Sequence, residues 1–224
     1  MEILSSFGKS PNQRHIGLAL AALSRGEVIA VPTETGYCFV GLSSQRSTHE
    51  QLLSLRNAHP RQKPFSLLCK DAKQVSGVTQ LSTSAFRILN RILPGPFTLI
   101  LPVHRNTPKN STGAFRSTVG VRITGNALSE ALMAQLDEPL LITSVTDAEE
   151  LAQEGYTDEN FDPALDRWWT SAEGILTHAR GHVRLILCSE EPMPMRFSTI
   201  LDLSIDGQLE IVRDGGWPLK AIEI

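Results

Sequence analysis

The stretch Glu27-Val28-Ile29-Ala30-Val31-Pro32-Thr33-Glu34-Thr35-Gly36-Tyr37 sets the reading of this chain. Its apolar, largely β-branched first half predicts a strand over Glu27 to Val31, because branched side chains fit a pleated, buried surface. Pro32 lacks an N–H and ends the run. The strand therefore delivers the hydroxyl-rich segment Pro32 to Tyr37 at its carboxyl end, a natural place for a site. Immediately upstream, Ile16 to Leu23 (IGLALAAL) predicts a short buried helix, with Gly26 where a helix stop is expected.

The same punctuation continues downstream. After Ser47, THEQLLSLRNA carries a hydroxyl cap, a carboxylate in the first turn and leucines at helical spacing, predicting a helix with Arg56 near its end. His59-Pro60-Arg61-Gln62-Lys63-Pro64 cannot continue it, since two prolines forbid helix; this is a basic loop. Phe65 to Cys69 predicts a strand, Ser82 to Leu93 a helix stopped by Pro94-Gly95-Pro96, and Phe97 to Val103 another strand. Val119 to Ile123 and Leu140 to Ser144 read as strands with a helix over Leu128 to Leu136 between them. Val183 to Cys188, Thr199 to Leu203 and Leu209 to Val212 complete the set, Asp206-Gly207 forming a hairpin turn. Such alternation predicts an α/β layered architecture, with no internal repeat and no low-complexity tract.

At 224 residues, 41% hydrophobic and 20% charged, the chain is long enough for a substantial core and neither disordered nor membrane-like in composition. One domain over residues 1–224 is the expectation. A formal net charge of −3 offers no global attraction to phosphate backbones. Three widely spaced cysteines, Cys38, Cys69 and Cys188, match neither a disulfide framework nor a zinc pattern and fit a reducing compartment. The amino-terminal stretch lacks the features of a secretory signal and no apolar run reaches membrane-spanning length, so the expected location is the cytoplasm.

Gly8-Lys9-Ser10 is not a P-loop, because Ile3 stands where that motif needs glycine, and Gly113 to Gly125 gives no dinucleotide fingerprint. His178 and His182 have helical spacing for a metal pair, but Gly181 weakens the helix and the ligand set is incomplete. Trp168 and Trp169 read as packing anchors rather than base-stacking residues. From Asp147 to Asp166 stand eight carboxylates (Asp147, Glu149, Glu150, Glu154, Asp158, Glu159, Asp162, Asp166) and no lysine or arginine, a solvated face before a metal site. The Arg56–Lys63 loop can grip an anion, guanidinium groups binding phosphate or carboxylate by paired hydrogen bonds, or can be a solvated basic loop. Period-two alternation puts Thr118 and Arg122 on one strand face, where Arg122 serves either an anion or a salt bridge at the sheet end. Thr143-Ser144-Val145-Thr146 ends a strand in hydroxyls suited to a phosphate or to capping the next helix.

Taken in order, Val28-Ile29-Ala30-Val31-Pro32-Thr33-Glu34-Thr35 with Tyr37, Lys63-Pro64, Pro94-Gly95-Pro96-Phe97-Thr98-Leu99-Ile100-Leu101, Val119-Gly120-Val121-Arg122, Thr143-Ser144, Ser198-Thr199-Ile200-Leu201-Asp202 and Arg213-Asp214-Gly215 resemble the YrdC/YciO family of threonylcarbamoyl-adenylate synthases, over about residues 26–215. The resemblance implies a twisted mixed parallel and antiparallel sheet with flanking helices and a concave site. It implies an enzyme joining threonine, bicarbonate and ATP into threonylcarbamoyl-AMP with release of pyrophosphate, toward threonylcarbamoyladenosine in transfer RNA. The product would pass to tRNA-modification proteins. By position, Thr33, Lys63, Arg122, Thr143 and Ser198 are expected toward the threonine part. Arg56, His59, Thr118, Ser144, Thr146 and Arg213 are expected toward the nucleotide. Lys63, Arg56 and Arg122 are the residues expected to carry catalysis, and magnesium would arrive on the phosphates rather than in a protein cage.

Two departures qualify the resemblance. Where active members carry Lys-x-Arg this chain reads Arg56-Asn57-Ala58-His59, and where they carry Ser-x-Asn it reads Ser144-Val145-Thr146. Arginine for lysine changes the charge geometry, histidine is only partly charged near neutrality, and threonine lacks the amide's paired donor and acceptor. With Gly36 after Thr35, these place the chain nearer the YciO branch. The rival readings are a nucleotide-binding homologue without synthase turnover and an RNA-binding surface built on phosphate contacts.

Overall fold

The computed structural model describes residues 2–6, 11–55, 64–104, 117–145, 171–179, 182–189 and 196–218. Their strands form one ten-stranded mixed sheet flanked by helices. In chain order the elements are β1 (Glu2–Ser6), α1 (Gln13–Ser24), β2 (Val28–Thr33), β3 (Gly36–Leu42), α2 (Arg46–Ser54), β4 (Ser66–Leu68), α3 (Ala72–Val78), α4 (Thr83–Ile92), β5 (Phe97–Pro102), β6 (Thr118–Arg122), α5 (Ala127–Met133), β7 (Leu140–Ser144), α6 (Ala172–His178), β8 (Val183–Ser189), β9 (Thr199–Asp202) and β10 (Glu210–Arg213). The strands lie side by side as β1-β8-β2-β3-β7-β4-β6-β5-β9-β10. β1/β8, β8/β2, β4/β6 and β5/β9 are parallel pairs, and the other neighbours are antiparallel.

Alternation along the strands separates two apolar layers. On one face Val28, Ala30, Phe39, Leu67, Leu99, Val119, Val121 and Leu201 pack beneath Leu52 of α2, Val75 of α3, Leu89 of α4 and Ile175 of α6. On the other, Ile29, Val31, Val40, Leu68, Leu140, Ile142 and Leu187 pack beneath Ile16, Ala19 and Leu23 of α1 and Leu132 and Met133 of α5. The second pair of helices reaches only part of its face: α1 packs on β2, β8 and β3, and α5 on β2. Beyond β4, whose Leu68 still belongs to that layer, β6, β5 and β9 contribute no side chain to it among the described residues. On that half lie Thr98, Gly120, Arg122 and Ser198, polar or small residues that are nonetheless buried.

Local differences from the sequence reading have physical reasons. β2 runs through Pro32 to Thr33, because its ladder with β8 ends at Ala30 and a missing N–H costs little beyond that point. α2 begins at Arg46 rather than after Ser47, with no side-chain cap bond at Gln45. Thr48 is thereby carried inside the helix and buried against Gly41, where any Cβ would stand 2.5 Å from Thr48 Cγ2. The helix read over 128–136 is shorter, α5, and is capped by Asn126 Oδ1, which accepts from the N–H groups of Leu128 and Ser129. β1, β3, α3 and α6 are additional elements. α6 ends at His178, so His178 and His182 do not share a helix, and the His182 ring lies instead 3.1 Å from Ser54 Oγ. Trp168, Trp169 and the acidic segment 147–166 lie outside the described residues.

Two predictions follow from the packing. A Cβ on Gly215 would run into the Phe197 carbonyl and stand 2.8 Å from Thr199 N, both rigid backbone. Gly215→Ala should therefore lower unfolding free energy by about 1–3 kcal/mol in a urea titration. Burial pushes the Cys69 thiol up from its ordinary 9.0 to about 12. Between those values the folded chain holds a proton that the unfolded chain has lost, so this stability is present below pH 9 and is lost as pH rises toward 12. Denaturant midpoints measured from neutral pH upward should fall more gently in Cys69→Ala than in the parent chain.

Candidate functional site

β6 brings the site residues to one face. Val119 and Val121 are 3% and 0% exposed and point into the core, so Thr118, Gly120 and Arg122 must point the other way. Arg122 is 6% exposed, yet among the described residues it makes no salt bridge. Its Nη2 donates to Thr35 Oγ1 at 2.8 Å, and its Nη1 lies 3.9 Å from Cys38 Sγ. The reading of Arg122 as a structural ion pair at the sheet end thus finds no carboxylate among the described residues. Burial raises the Cys38 thiol pKa, although the Arg122 charge pulls in the opposite direction.

The β2–β3 turn supplies the hydroxyls opposite Arg122. Thr33 is 1% exposed, and its hydroxyl is largely occupied locally: it donates to the Gly36 carbonyl at 2.8 Å, accepts from the Thr35 N–H at 3.2 Å and meets Thr35 Oγ1 at 3.1 Å. Gly36 adopts φ +101°, a backbone state that disfavours any other residue and closes the turn. Thr35, only partly buried, is the hydroxyl that meets the guanidinium.

A second cation stands across the open face. Arg213 Nη2 donates to Ser198 Oγ at 3.0 Å and, with Nε, to the Ser198 carbonyl at 2.9 and 3.0 Å. Ser198 Oγ also meets Thr98 Oγ1 at 2.9 Å. Thr98 lies one residue beyond the Leu99–Val121 pair of β5 and β6, which puts it on the face of Arg122. Burial first, and repulsion from Arg122 second, draw the Arg213 pKa below its ordinary value. Neither guanidinium has a carboxylate partner among the described residues. Gly120 keeps the floor between them low: a Cβ there would stand 2.6 Å from Ser66 Oγ.

Thr118 and Ser144 share this face, Ser144 pairing with Cys38 across β7 and β3. Thr143 pairs with Phe39 of the core layer, so the structure does not bring it to the side of Arg122. Arg56, His59, Lys63 and Thr146 lie outside the described residues. Sequence reading assigned no role to Thr35, Thr98 or Cys38. Thr98 was findable, since alternation in Phe97 to Leu101 makes it the polar exception, whereas the proximity of Cys38 to Arg122 depends on strands far apart in sequence.

Such a face suits an anion: two cations held by hydrogen bonds, a ridge of hydroxyls and a floor cleared by glycine. No group of three or more His, Cys, Asp or Glu side chains among the described residues could hold a metal. No helix among them is long and apolar enough to cross a membrane.

The chain compares closely with known proteins. Residues 21–215 match the family model Sua5_yciO_yrdC, described as "Telomere recombination". The "Uncharacterized protein YciO" of Escherichia coli K12 is 31% identical over 211 residues, covering 94% of each chain. A crystal structure of E. coli YciO superposes with a TM-score of 0.80 over 98% of both chains, at 26% identity. A threonylcarbamoyl-AMP synthase of Yersinia enterocolitica is 30% identical over 139 residues, 61% of this chain and 72% of that one. P. abyssi Sua5 complexed with L-threonine shares the fold at 22% identity and a TM-score of 0.78, this chain covering 60% of its length. A sheet of this order, with the arginine of β6 facing the β2–β3 turn, and a family match spanning nearly every described element lead to one assignment: the chain belongs to the Sua5/YciO/YrdC family.

Proposed function

We propose that this chain condenses L-threonine, bicarbonate and ATP to threonylcarbamoyl-AMP, pyrophosphate and water, for threonylcarbamoyl modification of transfer RNA. The observation that carries the reading is the pair Arg122 and Arg213, two guanidiniums on one face of the sheet, Arg122 buried, held by hydroxyls and a carbonyl and without a carboxylate partner among the described residues. Burying unpaired cations is costly, and an anionic ligand relieves both the burial and the mutual repulsion. Kinship to a named threonylcarbamoyl-AMP synthase, and a shared fold with a protein crystallised with L-threonine, supply the substrate class.

In this reading the threonine amine adds to bicarbonate with loss of water, and a carbamate oxygen attacks the α-phosphate of ATP, breaking the bond to pyrophosphate. No protein nucleophile is needed; positioning and charge neutralisation do the work. Arg122, with Thr35 beside it, holds the threonine carboxylate through paired hydrogen bonds. Thr118, Ser144 and Arg213 face the nucleotide, and Ser198, to which Arg213 donates, faces the threonine part. Magnesium travels with the phosphates of ATP.

A second reading, a nucleotide-binding homologue without this turnover, is favoured by the replacements at Arg56, His59 and Thr146. The assay that separates the two is pyrophosphate release from ATP with magnesium and bicarbonate, with and without L-threonine, followed by mass detection of the adenylate. Threonine-dependent release with the threonylcarbamoyl-AMP mass is expected; ATP binding without release would overturn the synthase reading. Arg122→Lys keeps the charge but loses the paired geometry and should weaken threonine binding at least about tenfold. Combined His59→Arg and Thr146→Asn should raise turnover by strengthening the phosphate grip, and unchanged turnover in that variant would count against the same site.

A further inference from the structure

The β2–β3 turn is tied down by a carboxylate that the anion site itself does not use. Glu34 accepts from Thr124 Oγ1 with both oxygens, each at 3.1 Å, and Oε1 also accepts from the Gly125 N–H. Thr124 is 3% exposed, and its Oγ1 in turn accepts from the N–H of Asn126 at 3.1 Å, the residue that caps α5. A parallel tie runs from α5, where Ser129 Oγ donates to the Pro32 carbonyl at 2.6 Å.

Glu34 makes no ion pair among the described residues. Among those residues its contacts are hydrogen bonds that join the turn to Thr124 and Gly125. Thr124 follows Arg122 by two residues, and Thr35 follows Glu34 by one, so the clamp joins the same two segments that the Arg122–Thr35 hydrogen bond joins. Arg122 is a long side chain with several rotatable bonds, and one hydrogen bond to a hydroxyl on a free turn would leave its orientation loose.

We propose that Glu34 is a positioning residue of the anion site: by locking the turn to Thr124 and Gly125 it fixes Thr35 against Arg122 and so sets the direction of the remaining guanidinium N–H groups. The inference rests on the reading of that face as an anion site. A misplacement of about 1 Å at such a group can cost a hundredfold in function, whereas the hairpin itself stays paired through Ile29 to Thr33 with Gly36 to Val40. Loss of the clamp should thus reach ligand affinity before global stability.

The test compares the parent chain with Glu34→Ala, Glu34→Gln, Thr124→Val and the Glu34→Ala/Thr124→Val pair. L-threonine and ATP are titrated by calorimetry, amide hydrogen exchange is followed at residues 34–36, and thermal unfolding is recorded. Glu34→Ala and Thr124→Val should each weaken L-threonine binding about tenfold, and the pair no more than the worse single change, because both remove one clamp. Glu34→Gln, which retains an acceptor, should recover most of the affinity. Exchange at 34–36 should quicken in Glu34→Ala while the unfolding temperature moves by only a few degrees. Unchanged exchange in Glu34→Ala, additive losses in the pair, or an affinity loss matched by a large fall in unfolding temperature would each overturn the proposal. Failure of the parent chain to bind either probe would instead sink the anion-site reading, leaving the exchange measurement to decide the clamp on its own.

Discussion

Much of the molecule depends on a single alternation in β6. Val119 and Val121 are drawn into the core layer under the helices of one face, and this burial forces Thr118, Gly120 and Arg122 onto the other. The apolar driving force is strong, roughly 1.5–3 kcal/mol for each branched side chain removed from water. A slip of one residue would bury a guanidinium in the apolar layer and expose two valines, so the register is enforced by hydrophobic burial and the charge follows. The placement of Arg122 is in this sense a by-product of packing its neighbours.

That placement matters because the sheet is covered unevenly. Helices α2, α3, α4 and α6 serve the core layer beneath one face, while α1 and α5 serve the opposite face chiefly over β8, β2 and β3. Beyond their reach, among the described residues, β6, β5, β10 and the residue just before β9 bring Thr118, Gly120, Arg122, Thr98, Arg213 and Ser198 to that face. The hydrogen bonds there run along a ridge, from Arg213 to Ser198 to Thr98 on one side and from Arg122 to Thr35 to Thr33 on the other. Each cation is thus fixed by neutral groups. Neutral partners orient a guanidinium without consuming its charge, which leaves that charge available to a ligand and keeps two like charges in mutual tension until one arrives.

Close backbone approach completes the arrangement at three glycines. Gly36 turns the chain with a positive φ, Gly120 lowers the floor beside Ser66, and Gly215 lets the end of β10 lie against Phe197 and Thr199. Its N–H donates to Thr199 Oγ1 at 3.0 Å, so the segment following Arg213 is anchored to β9. The site is therefore rigid at its cations and at the turns that carry them.

The sequence by itself determined the class of fold, the strands β2, β4, β5, β6, β7, β8, β9 and β10 within a residue or two, and the common face of Thr118 and Arg122, since burial periodicity is local information. It also carried the family, through short motifs in fixed order. It did not reveal β3, whose Gly36 to Leu42 is buried on both faces and so shows no alternation, nor α3 and α6, short helices weakened by Gly77 and Gly174. Nor could it separate Thr33 from Thr35, because that assignment depends on which neighbour claims each hydroxyl, and it expected Thr143 on the threonine side with Arg122, whereas the pairing with Phe39 puts Thr143 on the other face. Only the tertiary structure decided these, by bringing residues 87 and 90 positions apart into hydrogen-bond contact at the Arg122–Thr35 and Glu34–Thr124 links, where strand order and helix cover, not local propensity, fix the distance.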